Sequence, residues 1–175
     1  IGGFYLVADA FPPRMFLFGA LPALLLGIVL VVFFPAFIKS LPLTTLTLLS
    51  VIRVPVEFVL YCLAHAGWVP TAMTFEGTNF DILSGITAPV VYFLAFRQGD
   101  VNRPLLFAWN IAALALLANV VTTAILAFPS PMQQIAFEQP NRGVMYFPFI
   151  WLPAVVVPIV FFTHIAALRK LTFRS

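Results

Sequence analysis

The chain has 175 residues, 62% of them hydrophobic and 9% charged, with 20 Phe and a mean hydropathy of +1.07. That composition excludes an ordinary soluble globular domain and makes a lipid bilayer the expected surroundings. The net charge of +3 and the pI near 9.4 then reflect basic residues lying against a membrane surface, and no nucleic-acid partner is expected.

Residues 1–15 read as a loop, because Pro12 and Pro13 break any helix there. The chain begins Ile-Gly-Gly, and residues 1–10 lack the basic start and apolar core of a signal peptide, so an upstream segment is expected, with a further span one possibility. Five stretches then approach the roughly 20 apolar residues a spanning helix needs: 16–37, 41–66, 81–96, 104–128 and 145–168. None alternates with the two-residue period of a barrel strand. The expected fold is therefore all-α, a polytopic transmembrane helical bundle forming one domain over residues 1–175.

The connectors divide by charge. One group holds Lys39, Arg97, Arg103, Arg169, Lys170 and Arg174 with Asp100; the other holds Arg14 and Arg142 with Asp9, Glu76, Asp81 and Glu138. Cytoplasmic loops favour Lys and Arg, which places the N-terminus outside and the C-terminus in the cytoplasm.

The second stretch carries the main functional signal. Arg53 and Glu57 lie four residues apart in apolar surroundings, and Tyr61 and His65 continue at the same step, so the four stack along one helical face. Ionisable groups within a span are costly and usually face the protein interior, a partner or a water-filled cavity. In the functional reading Arg53 is a fixed cation, Glu57 an acceptor or base, and Tyr61 and His65 bridge to water. The alternative is a structural ion pair that locks helix packing. Pro55 lies between the two charges and frees the carbonyl of Val51. Cys62, the single cysteine, reads as a packing residue.

The third stretch has 16 residues and reaches only about 24 Å as a helix, short of the roughly 30 Å hydrocarbon core. Asn79 and Asp81 are good N-cap types, so the loop 73–80 is expected to dip inward and be held by capping bonds. On the fourth stretch Asn119 is the expected partner of the charged pair, against the alternative of a plain interhelical hydrogen bond. Pro129, Pro131 and Pro140 mark a long outer loop before the fifth stretch.

The outer side gathers Arg14, Glu76, Asn79, Asp81, Gln133, Gln134, Glu138, Gln139, Asn141 and Arg142. Three readings compete: a lid over the polar stripe, a carboxylate cation site using Glu76, Asp81 and Glu138 with His65, or a solvated loop cap. Compact metal-ligand spacing is absent, so no metal is assigned. His65 and His164 are expected near opposite helix ends, about 30 Å apart, too far to share a haem. Lys39 and Lys170 sit at helix ends, which disfavours a retinal-type Schiff base, and no cofactor is assigned.

Arg53-Val54-Pro55-Val56-Glu57, Thr74-Phe75-Glu76-Gly77-Thr78-Asn79-Phe80-Asp81, Gln133-Gln134 and Gln139-Pro140-Asn141 together resemble a family of uncharacterised bacterial multi-pass integral membrane proteins, over residues 12–169. The resemblance implies the same span boundaries and a bacterial inner-membrane location. It brings no activity and no functional residue.

Two functions follow as expectations. In the first, the protein binds or transports a small anionic or amphiphilic ligand at a buried polar site open to the extracytoplasmic side, formed by Arg53, Glu57, Tyr61, His65, Asn119, Glu76, Asn79, Asp81, Gln134, Glu138 and Arg142. In the second it is a non-catalytic accessory subunit, its stripe meeting a membrane-protein partner or a second copy of the chain. Enzymatic chemistry ranks below both, because no nucleophile or scissile bond is identified.

Overall fold

A computed structural model describes residue 14, residues 16–97 and residues 100–173, so the expected loop with Pro12 and Pro13 lies almost wholly outside the described residues, as does Arg174. Every regular element among the described residues is helical: α1 (Leu21–Phe33), α2 (Pro35–Ser40), α3 (Leu43–Leu48), α4 (Arg53–His65), α5 (Ile82–Ala95), α6 (Arg103–Leu126) and α7 (Val157–Thr172), joined by short 3₁₀ and π turns.

Among the described residues four helical runs are long and apolar enough to cross a membrane: Phe16–Phe33, Leu43–His65, Arg103–Leu126 and Leu152–Thr172. The fifth apolar helix, α5, has 14 residues and extends only about 21 Å. Two expected boundaries change. The first stretch, drawn over 16–37, breaks at Phe34, whose φ of −119° and ψ of 62° leave the helical region because Pro35 follows. The last stretch, drawn over 145–168, becomes helical only from Leu152 and runs on to Thr172.

Prolines explain the irregular turns. A π turn at Phe16–Ala20 precedes Pro22, and another, Leu152–Val156, contains Pro153 and leads into Pro158 at the start of α7. A 3₁₀ turn, Leu49–Ile52, lies just before Pro55. Each change of winding accommodates a ring that cannot donate to the preceding turn. Among the described residues only Pro89 sits well inside a regular helix.

Apolar clusters form at both ends of the bundle. Leu60, Leu63, Val69, Met73, Phe128 and Val144 pack where the end of α4 meets the connecting loops. At the opposite end Val31, Ile38, Leu46, Ala166 and Ala167 join α1, α2, α3 and α7. There Lys170 Nζ donates to the carbonyls of Lys39 (2.7 Å) and Leu41 (2.5 Å), and Arg103 Nη2 donates to those of Leu171 (2.6 Å) and Phe173 (2.8 Å). The basic residues thus tie helix ends together at one end of the fold, and the buried polar groups lie between the two clusters.

Candidate functional site

Arg53 and Glu57 are both buried, at 3% and 2% relative exposure, but they do not pair with each other. The winding change before Arg53 and the close approach of α5 give them separate partners. Gly85 makes that approach possible: a Cβ there would lie 2.9 Å from Val54 Cγ2 and 3.2 Å from the Ser50 carbonyl oxygen. The start of α5 is thereby held against the first turn of α4.

Arg53 Nη1 donates to Asp81 Oδ1 at 2.6 Å, to Ser84 Oγ, and to the Ala113 carbonyl at 3.2 Å. Its Nη2 lies 2.9 Å from His164 Nε2. A guanidinium only donates, so Nε2 accepts and the ring proton is on Nδ1, which donates to Asn110 Oδ1 at 2.7 Å. The Asn110 amide group in turn donates to the Leu106 carbonyl at 2.8 Å. One cation therefore gathers groups from α5, α6 and α7.

Glu57 serves a different segment. Its Oε1 accepts from the Phe75 backbone N–H and its Oε2 from Asn79 Nδ2, each at 2.6 Å. Phe75 and Asn79 thus reach down alongside α4 to a point eight residues, about 12 Å, before its last residue, His65. The loop folds on itself to do so: Asn79 Nδ2 also donates to the Met73 carbonyl at 2.9 Å, and a Cβ on Gly77 would collide with the backbone of Thr71 and Ala72. The expected inward dip is present, but its fastening differs. Asp81 makes no side-chain cap on α5; it takes Arg53, while Asn79 Oδ1 accepts from the Asp81 N–H at 3.0 Å. Asn79 and Asp81 thereby link the two charged centres into one chain of hydrogen bonds.

The remaining expected site residues form a graded periphery. Tyr61 stacks on Phe75 with ring centroids 5.3 Å apart, and His65, its neighbour along α4 at 4.2 Å, is exposed and lies 3.9 Å from Glu76 Oε2. Asn119 does not touch the charged pair. It is exposed and donates to the Thr78 carbonyl at 2.8 Å, because its position in the last third of α6 places it beside the loop. Gln134, Glu138 and Arg142 are exposed on the segment between α6 and α7, away from the buried network. Gln139 clasps the end of α4 through the carbonyls of Ala64 and Val69. Among the described residues no three of His, Cys, Asp and Glu gather as a cation site, so the Glu76, Asp81, Glu138 and His65 grouping does not form.

The sequence analysis left His164, Asn110 and Ser84 out of the site and placed Asn141 only in the outer-loop group; all four are buried. His164 was expected near a helix end; starting the last helical run at Leu152 moves it to mid-run, level with Arg53. Pro148 and Pro153 were the available signal for that later start, since neither belongs in a helix interior.

Beside the network lies a cavity of about 330 Å³. Arg53, Glu57, Asn79 and Asp81 stand on its wall, which is otherwise almost wholly apolar and comes from the start of the first helical run, α4, α6 and the Leu152–Val160 stretch. Asn141 and Met132 from the loop after α6 complete it. That volume is within the range of small-molecule sites, and apolar walls with a few polar groups suit an amphiphile. Cys62 is exposed, not packed inside.

No curated protein and no solved structure matches the chain. Residues 11–172 match the family described as "Domain of unknown function (DUF8737)", and the chain belongs to that family.

Proposed function

We propose that this is an integral protein of the bacterial cytoplasmic membrane that binds an amphiphilic molecule between its helices, as a binding protein or as part of a transport path. The supporting observation is the apolar cavity whose wall includes Arg53, Glu57, Asn79 and Asp81, between helices long and apolar enough to span a bilayer. The N-terminus lies outside and the C-terminus in the cytoplasm. The gathering of Lys39, Arg103, Arg169 and Lys170 around Leu171 and Phe173 supports that orientation, since a basic end favours the cytoplasmic face. Arg53 is the structural hub of the site, because its Nη groups are already taken by protein acceptors.

The test is native mass spectrometry of the protein extracted in nanodiscs from its own membrane, compared with Val121→Phe. Val121 is a half-buried wall residue on α6, so a larger side chain fills the cavity without disturbing the polar network. A retained small molecule that disappears in Val121→Phe is the expected result. The reading fails if the mass of the native protein carries no adduct sensitive to that change.

An accessory-subunit role is the second reading. It is favoured by α1, in which Gly27 and Val31 are the buried residues while Leu25, Leu26, Ile28, Val29 and Val32 are exposed. A stoichiometric partner chain in the same spectra would support it.

A further inference from the structure

The ionic side chains on the cavity wall already have protein partners. Arg53 and Asp81 form an ion pair at 2.6 Å, and both Glu57 oxygens accept N–H groups. An incoming anion would meet two carboxylates, and it would find no free guanidinium fork to grip it in bidentate fashion.

Two buried side-chain atoms among the described residues have no hydrogen-bond partner: Arg53 Nε, a donor, and Asn141 Oδ1, an acceptor. Both residues stand on this one cavity wall. Their separation follows from α6. Arg53 Nη1 bonds the Ala113 carbonyl and Asn141 Nδ2 bonds the Ala124 carbonyl, eleven residues further along, so the two lie about 16 Å apart along the helix axis. That separation matches a single extended chain of about ten carbons with an oxygen at each end.

Resting on the amphiphile reading above, we infer that the guest is an uncharged single-chain molecule with an oxygen acceptor at the Arg53 end and a hydroxyl at the Asn141 end. A cation is disfavoured because its charged head offers nothing to Arg53 Nε, and an anion because its head at that end would meet the Glu57 and Asp81 carboxylates. Both atoms are covered by their neighbours, so the guest reaches them as apolar side chains of the wall move aside, with the Arg53 guanidinium staying in place. A hydroxyl suits either end, since it both accepts and donates.

The test compares three probes of equal chain length, decanediol, decanol and decyl sulfate, on nanodisc-embedded protein and on Val121→Phe and Asn141→Leu. Decanediol is expected to bind about three- to tenfold more tightly than decanol, the value of one added hydrogen bond, with decyl sulfate weakest. Asn141→Leu should erase the advantage of decanediol while leaving decanol binding in place. If decyl sulfate binds as tightly as decanediol and Val121→Phe blocks both, the uncharged guest is overturned and the amphiphile site stands. Equal binding of decanediol and decanol by the native protein overturns the two-ended guest. Should Val121→Phe affect none of the three, the cavity is no binding site and the reading of function fails with it.

Discussion

Arg53 and Glu57 are one helical turn apart, equally buried and opposite in charge, yet they hold different kinds of structure. Arg53 binds side chains and a carbonyl from three helices, so it fixes how α5, α6 and α7 sit against α4. Glu57 binds a backbone N–H and an amide from one loop, so it fixes how deep that loop reaches. Spacing along a helix brings charges onto one face; the elements packed against that face decide their partners.

The largest effect is expected at Arg53. Arg53→Met leaves Asp81 buried without its cation and should cost roughly 3–5 kcal/mol, read as loss of folded protein in thermal or denaturant unfolding. A double-mutant cycle sharpens the contrast: coupling of Arg53 with Asp81 should clearly exceed coupling of Arg53 with Glu57, and the reverse would mean that the helical pair is the real unit.

Glu57→Gln should cost less, about 1–3 kcal/mol, because its amide N–H₂ would face the Asn79 amide N–H₂. Asn79 cannot turn over to relieve this, since its other bonds hold both ends of its amide. The distinctive readout is faster hydrogen exchange confined to residues 71–80; exchange spread through α6 and α7 would put Glu57 in the same role as Arg53.

Gly85→Ala tests the close contact that brings α5 to Arg53. Crowding Val54 and the Ser50 carbonyl should cost about 1–3 kcal/mol, and adding Val54→Ala should recover part of it. At the small end, Asn119→Ala removes one exposed bond to the loop and should change stability by about 0.6 kcal/mol. A loss as large as that of Glu57→Gln would return Asn119 to the charged pair.

The sequence made some of this legible for physical reasons. Charges are rare in apolar stretches, so Arg53 and Glu57 stood out, and Asn79 and Asp81 stood out ahead of a helix too short to span. The partners were not legible, because they depend on how helices rotate and slide against each other. His164 shows the sensitivity: moving the start of the last helical run from 145 to 152, seven residues or about 10 Å, carries it from a helix end to Arg53. Asn141 was visible only as a loop residue, since its burial depends on how that loop folds over the end of α6.

The distances along the chain between Arg53 and its partners also set an order of events at the ribosome. Asp81 follows by 28 residues, whereas His164 follows by 111. At about 5–20 residues per second, His164 is made on the order of ten seconds after Arg53. In a bilayer a bare cation near the middle of the Leu43–His65 run costs roughly 3 kcal/mol, and of the groups that bond Arg53 in the fold Asp81 is made first. If the chain enters a membrane as proposed above, the segment from α4 through the start of α5 is a natural unit of insertion, with α6 and α7 docking onto it afterwards.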